Sequence, residues 1–348
     1  MINQEESFAA RLIEWQVRGG RHDLPWQRTR DPYHVWLSEI MLQQTQVITV
    51  VPYFKCFVAR FPTLADLARA PLAEVMAAWS GLGYYARARN LHAAARALMG
   101  GHGGRFPQAP EAIAELPGIG RSTANAIAAF CYDARVAILD GNVKRVLCRH
   151  FGVPGFPGAP LVEKQLWRLA ESLLPERGVG DYIQAQMDLG ATLCTRSRPD
   201  CASCPVAATC VARAEKRIDT LPQKRPRKTV PERRTRVLLL VEGGRVLLLS
   251  RPPAGIWGGL LSLPEVPDGA EPGGYAADVL GYAVEQFEEL PPWRHSFTHF
   301  HLTLLPLLGQ ARPLPRVAER TGEAWVGRDE LDAAALPAPI RKLLQRFL

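Results

Sequence analysis

CTRSRPDCASCPVAATC, residues Cys194 to Cys210, sets four cysteines in the spacing C-x6-C-x2-C-x5-C, with Pro205 directly after Cys204 and Arg196, Arg198 and Arg213 in or beside the run. Seventeen residues are enough to wrap four thiolates around one inorganic centre. The C-x2-C step lets two sulfurs reach the same centre without backbone strain. A [4Fe-4S] cluster is the cofactor this spacing favours. Zinc and disulfides are the weaker readings, because a zinc knuckle pairs two C-x2-C steps or mixes in histidine, and disulfides need an oxidising compartment. The N-terminus, MINQEESFAARLIEWQ, carries early acids and no apolar leader core, and no run is long enough to cross a bilayer. The expectation is a cytoplasmic chain with no membrane partner, in a compartment where such cysteines hold metal. Cys56, Cys131 and Cys148 lie in apolar stretches and read as buried packing residues.

Outward from that loop the texture divides the chain. With 348 residues, 47% of them hydrophobic, there is material for two cores. Residues 1–217 read as an all-α domain, with helical segments Ser7 to Arg18, Tyr33 to Arg60, Leu64 to Ser80 and Tyr85 to Met99 between Gly and Pro breaks. Residues 218–236 are rich in proline and basic side chains and read as a linker. Residues 237–348 change to an α+β pattern. Val237 to Val241 and Val246 to Leu249 flank Glu242-Gly243-Gly244-Arg245, a hairpin turn in which the glycines supply positive φ. A further strand-like run covers Phe297 to Leu308, and a terminal helix starts near Pro339. The net charge of +8 favours a polyanionic partner without deciding for one.

Two short motifs in the helical half carry chemistry. Leu116-Pro117-Gly118-Ile119-Gly120 lies between helical segments, and its glycines allow a tight turn whose N–H groups face outward with the next helix's N-terminus, a nest for phosphate. An ordinary helix-to-helix turn would need the same glycines. Downstream, the apolar run Val136 to Leu139 leads into Asp140-Gly141-Asn142-Val143-Lys144-Arg145, where Asp140 is placed as an N-cap. Accepting helix N–H groups would also hold its carboxylate ionised. Glu39 shares a helical face with Val35, Trp36, Leu42 and Gln43; it is either a surface glutamate or a half-buried carboxyl with a raised pKa, suited to general acid work.

The order of LPGIG, an aspartate at a helix start and the four-cysteine loop resembles the helix-hairpin-helix DNA glycosylases with an iron–sulfur cluster, and the resemblance covers the whole first domain. Within that superfamily the chain is most similar to the adenine DNA glycosylase (MutY) family, because Trp36-Leu37-Ser38-Glu39-Ile40-Met41-Leu42-Gln43-Gln44-Thr45 matches its catalytic helix. The endonuclease III branch has a lysine two positions after the last glycine of LPGIG; here that position is Ser122. A lysine there would form a Schiff base and cut the strand, which serine cannot do. The resemblance therefore implies a monofunctional glycosylase with Glu39 as general acid, Asp140 facing the cationic sugar and Asn142 orienting the reacting groups. Lys144 would give at most minor strand scission. It implies DNA contacts at Gln44, Tyr84, Gly118, Gly120, Ser122 and Lys144, with Gln44 and Tyr84 entering the base stack as adenosine flips out. Core packing is the ordinary alternative for Tyr84. Trp26, after Leu24-Pro25, falls near the expected adenine pocket.

The second domain resembles the Nudix fold through its hairpin and Trp257-Gly258-Gly259-Leu260-Leu261-Ser262-Leu263-Pro264, but the next residues, EVPDGAEPGGYAADVLGYAVEQF, lack the glutamates of a Nudix hydrolase. It thus reads as a lesion-recognition domain. Phe297-Thr298-His299 stands where the family commonly has Phe-Ser-His, so the resemblance assigns these residues to 8-oxoguanine recognition. A monomer acting on duplex DNA with adenine opposite 8-oxoguanine or guanine is the resulting expectation. The alternatives are a bifunctional endonuclease III-like glycosylase/lyase, a non-catalytic iron–sulfur DNA-damage binding protein, and a nucleotide pyrophosphatase.

Overall fold

The computed structural model describes residues 7–225, 230–252, 255–297, 299–315 and 322–348. These residues divide into two compact units: residues up to 69 together with 90–227, and residues 70–89 together with 228–348. The segment 70–89, which the sequence assigns to the helical domain, groups with the C-terminal residues.

The helices run α1 (Phe8–Gly19), α2 (Pro32–Leu42), α3 (Val47–Arg60), α4 (Leu64–Arg69), α5 (Leu72–Ala78), α6 (Ala86–Gly101), α7 (Pro110–Ala114), α8 (Arg121–Tyr132), α9 (Gly141–His150), α10 (Pro160–Ser172) and α11 (Val179–Thr192). Caps set several starts: the Ser7 hydroxyl accepts from Ala10 N at 3.1 Å, and Asp31 Oδ1 accepts from Tyr33 N at 2.9 Å. The expected helix Tyr33 to Arg60 is two helices, because Gln44 adopts φ 59°, a left-handed backbone that ends the helical ladder. Leu64 to Ser80 is likewise interrupted, at Pro71, which cannot continue the hydrogen bonding of α4.

A core in the first unit gathers Leu12, Leu139, Val143, Leu147, Leu166, Ile183 and Leu189 from α1, α9, α10, α11 and the extended run before α9. LPGIG forms the turn between α7 and α8. Gly118 has φ 77°, and a Cβ there would stand 2.6 Å from Asn90 Cβ, so the α6 surface closes on this turn only because the side chain is missing. Gly120 caps α8 and faces open space. Cys148 is fully buried as expected, but Cys56 is exposed on the outer face of α3 and Cys131 is half-buried.

In the second unit the strands are β1 (Glu232–Glu242), β2 (Arg245–Ser250), β3 (Leu261–Ser262), β4 (Glu265–Val266), β5 (Tyr282–Ala283), β6 (Glu288–Glu289), β7 (Trp293–Ser296), β8 (His301–Gln310), β9 (Arg312–Pro313) and β10 (Glu323–Gly327). The main sheet has the order β10-β2-β1-β8-β6, with β1 and β8 parallel, while β5 and β9 pair separately. The β1–β2 hairpin turns at Gly243 (φ 55°) and Gly244 (φ 76°), the conformation expected from its glycines. Helix Ala338–Phe347 ends the chain. Two boundaries differ from expectation. Strand β1 begins at Glu232, inside the proposed linker, because its pairing with β8 starts there; and Leu221, also inside it, is buried, with its carbonyl accepting from Arg149 Nε at 2.9 Å. Phe297 and His299 do not lie on a strand: β8 starts at His301, and Phe297 N donates to Phe300 O at 2.9 Å between β7 and β8.

Gly118→Ala should combine a strained φ with a clash against the Asn90 side chain and lower the unfolding free energy by about 1–3 kcal/mol. A downward shift of the first chemical-denaturation midpoint checks this, with Gly120→Ala, which meets nothing within 4 Å, as the near-neutral control.

Candidate active site

Three local structures bring two carboxyl groups to one pocket. Helix α2 carries Glu39 one turn before its end, α8 lines one wall, and the extended run Val136 to Leu139 delivers Asp140 to the start of α9. That run is held in place because the Ser122 hydroxyl of α8 accepts from Leu139 N at 3.0 Å, and Asn125 Nδ2 donates to Ala137 O at 2.6 Å. Ser122 is thus occupied in tying α8 to the extended run that leads to Asp140. The pocket has a volume of about 950 Å³, and Trp26, Glu39, Gln43, Ser122, Asp140 and Asn142 are among its lining residues.

The electrostatics of the two carboxyls differ. Burial, the larger cause, and the charge of Asp140 together push Glu39 up from 4.5 to about 8. Its residue surface is only partly covered, since the side chain opens onto the pocket, but the carboxyl is enclosed by protein on its other sides. Asp140 is also pushed up by burial, an influence that its cap opposes. Against that, Asp140 has the Val143 and Asn142 N–H groups and the charges of Arg145 and Lys144. Asp140 Oδ1 accepts from Val143 N at 2.7 Å. Every influence on Glu39 raises it, whereas four oppose the rise at Asp140, so Asp140 is the member of the pair that ionises first.

Asn142 is fixed from two sides. Arg145 Nη2 donates to Asn142 Oδ1 at 2.7 Å and to Gly190 O at 2.6 Å, while Arg145 Nε donates to Cys194 O at 2.8 Å. A Cβ at Gly190 would lie 2.6 Å from Asn142 Cβ, so α9 packs against α11 at a distance only glycine permits. Lys144, expected to meet DNA, pairs with Glu163 at 2.6 Å. Trp26 packs edge-on against Phe54 with centroids 5.3 Å apart, and its pocket position depends on the segment before it. There the buried Asp188 accepts from Arg21 N at 2.8 Å and Arg21 Nε at 2.7 Å, and Gln27 Nε2 donates to Arg21 O at 2.9 Å.

Cys194, Cys201, Cys204 and Cys210 are each half-buried. The thiols of Cys194 and Cys210 bear on both Cys201 and Cys204, raising them alongside burial, which alone is the largest influence; Cys204 is pushed up to about 11. Arg149, 3% exposed, donates to Thr195 O at 2.6 Å and to Cys194 Sγ at 3.4 Å. As the side chains stand, no three His, Cys, Asp or Glu among the described residues are grouped to hold a metal ion. The donor set itself, four sulfurs with cations alongside and no carboxylate or imidazole, fits an iron–sulfur cluster.

In the second unit, Phe297 stacks on Phe300 (4.5 Å, 19°) and meets Trp257 at 5.6 Å and His295 at 4.6 Å. His299 is exposed, and Thr298 lies outside the described residues. Tyr84 is 47% exposed with φ 50°, so it is not a core residue; Gln44 is exposed with φ 59°.

Residues 37–172 match the family model of the HhH-GPD superfamily base excision DNA repair proteins, and residues 236–346 match that of the NUDIX domain. The chain is 35% identical over 344 residues to the adenine DNA glycosylase of Buchnera aphidicola subsp. Acyrthosiphon pisum, covering 98% of this chain and 97% of that one. It belongs to the adenine DNA glycosylase family. The adenine DNA glycosylase of Homo sapiens is 33% identical over 419 residues, which take in 99% of this chain and 75% of the human one. Among solved structures, a thermostable thymine-DNA glycosylase aligns with TM-score 0.55 and 30% identity over 60% of this chain and 95% of its own. An endonuclease III–DNA complex aligns at 0.52 with 21% identity, over 60% and 94%, a likeness of fold.

The residues that the sequence failed to single out are those acting through others: Arg145 beyond its place in a motif, Gly190, and the Arg21–Asp188 pair. A buried acid such as Asp188 leaves no sequence signal except a carboxylate at an inward helical position.

Glu39 binds its proton more tightly folded than unfolded. Stability on its account is complete below about pH 4.5 and is lost progressively as pH rises through about 8. Glu39→Gln should therefore flatten the decline in unfolding midpoint between these pH values, which denaturant titrations of both proteins across the range will detect.

Proposed function

We propose that the chain hydrolyses the N-glycosidic bond of adenine mispaired with 8-oxoguanine, or with guanine, in duplex DNA, as a monofunctional base-excision repair glycosylase. The base and the bond are those named for its relatives. The observation that carries the chemistry is the pairing of Glu39 and Asp140 in one pocket with unequal surroundings. Adenine leaves poorly until protonated. Glu39, neutral near pH 7, donates a proton to the imidazole-ring nitrogen away from the sugar. As the bond breaks, positive charge develops on the sugar, and ionised Asp140 stabilises it or bonds to it briefly before water completes hydrolysis. One carboxyl kept neutral and one charged is the division of labour of glycoside hydrolysis generally.

Asn142, gripped by Arg145, orients the reacting groups beside Asp140. Ser122 supports strand integrity: its hydroxyl is held by Leu139 and cannot form an imine with the sugar. Lys144, paired with Glu163, is a poor substitute. The glycines of LPGIG and the start of α8 supply phosphate contacts. Gln44 and Tyr84 offset the few kcal/mol of unstacking and unpairing that extrusion costs. Phe297, Thr298 and His299 serve to read the oxidised guanine, whose new N–H and carbonyl suit a hydroxyl and an imidazole. Cys194, Cys201, Cys204 and Cys210 would hold a [4Fe-4S] cluster, which when bound orders the loop and its arginines against phosphate rather than entering the hydrolysis.

Single-turnover reaction of a labelled duplex with adenine opposite 8-oxoguanine, analysed with and without alkali beside an adenine–thymine control, tests this. Alkali-dependent cleavage of the lesion duplex alone is expected; alkali-independent cleavage would point to a lyase. Glu39→Gln should lower the rate by about 100- to 10,000-fold. In the parent chain the rate should fall as pH rises through about 8, as the Glu39 proton is lost, and fall again at acid pH as Asp140 is neutralised. A pH–rate profile with no alkaline limb near that value would remove Glu39 as the acid.

A further inference from the structure

Tyr84 holds a left-handed backbone at φ 50°, in a turn where Gly81 (φ 102°) and Gly83 (φ 70°) share positive φ. For a bulky residue this costs about 1 kcal/mol or more, so the surroundings must impose it. They come from the far end of the chain. Arg341 Nη2 donates to Ser80 Oγ at 2.9 Å and to Ala334 O at 2.9 Å, and Arg341 Nη1 donates to Leu331 O. Ser80 Oγ and Tyr85 Oη both donate to Leu336 O, each at 3.3 Å, and Gly81 N donates to Tyr85 Oη at 3.3 Å. The residues on either side of the turn are thus tied to one carbonyl, and Arg341, 261 positions from Ser80, secures both the serine and the loop bearing that carbonyl. All of these residues lie in the second unit. Within the turn, Arg87 Nη2 donates to Leu82 O at 3.1 Å and Gly83 O at 3.2 Å and lies over the Tyr84 ring, 5.6 Å from its centroid.

We infer that Arg341 and Tyr85 are positioning residues for Tyr84, through which the C-terminal residues set the aromatic that enters the base stack. The inference rests on the reading of Tyr84 as that wedge. Its ring is presented already ordered, so insertion does not have to fix the turn as well, and extrusion of adenosine becomes sensitive to a contact made by residues that do not line the pocket.

The test uses the full chain, cluster-loaded, with 2-aminopurine in place of the target adenine as a fluorescent reporter of unstacking. Tyr85→Phe removes one hydroxyl and leaves the buried ring in place; Arg341→Ala and Arg341→Lys remove or shorten the clamp. Tyr85→Phe and Arg341→Ala should each lower the extrusion equilibrium by about threefold to tenfold, as expected for loss of a hydrogen bond, with Arg341→Lys between. Added to Tyr84→Ala, either should cost nothing further, since both act through that ring. Unchanged extrusion in Tyr85→Phe, or a loss that adds in full to that of Tyr84→Ala, overturns the inference while leaving the wedge intact. A Tyr84→Ala variant with normal extrusion would instead overturn the wedge reading itself.

Discussion

Two carboxyl groups cannot both carry charge cheaply in one poorly solvated pocket, and the helical unit is arranged around that constraint. Asp140 has the means to be the charged member: the start of α9 aims the Val143 N–H at it, and Arg145 and Lys144 follow on the same helix. Glu39 sits at the end of α2, where helix termini supply no such donors, and stays neutral in part because Asp140 does not. The electrostatic difference between two similar side chains is therefore positional. One stands at a helix N-terminus and the other near a C-terminus, whose dipole disfavours negative charge.

Keeping that geometry depends on close approaches that side chains would block. The α9–α11 contact passes through Gly190 against Asn142, and the turn before α8 passes through Gly118 against Asn90. At both places a segment of the candidate site or of the glycine turn is set by a neighbouring helix rather than by its own sequence. Arg145 then joins Asn142, Gly190 and the Cys194 carbonyl in a single guanidinium fork. A rigid planar donor suits this role because its geometry transmits to all three groups together.

Much of this was legible in the sequence. The cap at Asp140, the glycine turn at 116–120, the hairpin at 242–245 and the position of Glu39 on a helix follow from short-range rules of capping, turn chemistry and periodicity, and the structure agrees with them. What was not legible depends on partners far along the chain. Gln44 breaks a continuous apolar helical pattern with no glycine or proline to announce it. Phe297 stands in a run of strand-forming residues, yet the turn falls there because β8 is registered by β1. The burial of Asp140 was hidden for the same reason: its cap is local, but its burial is a property of the assembled pocket.

Residues 70–89 belong with residues 228–348, although residues 90–227 lie between them in sequence. The chain therefore crosses between its two units three times, after residues 69, 89 and 227. The units are not beads that can be parted by a single cut. A fragment ending at the basic linker would keep the glycine turn and its tyrosine but lose the carbonyl and guanidinium that order them, along with cover for their flanks. A short piece of one unit is carried within the sequence of the other, so an exchange of the second unit has to include residues 70–89 as well as the C-terminal residues.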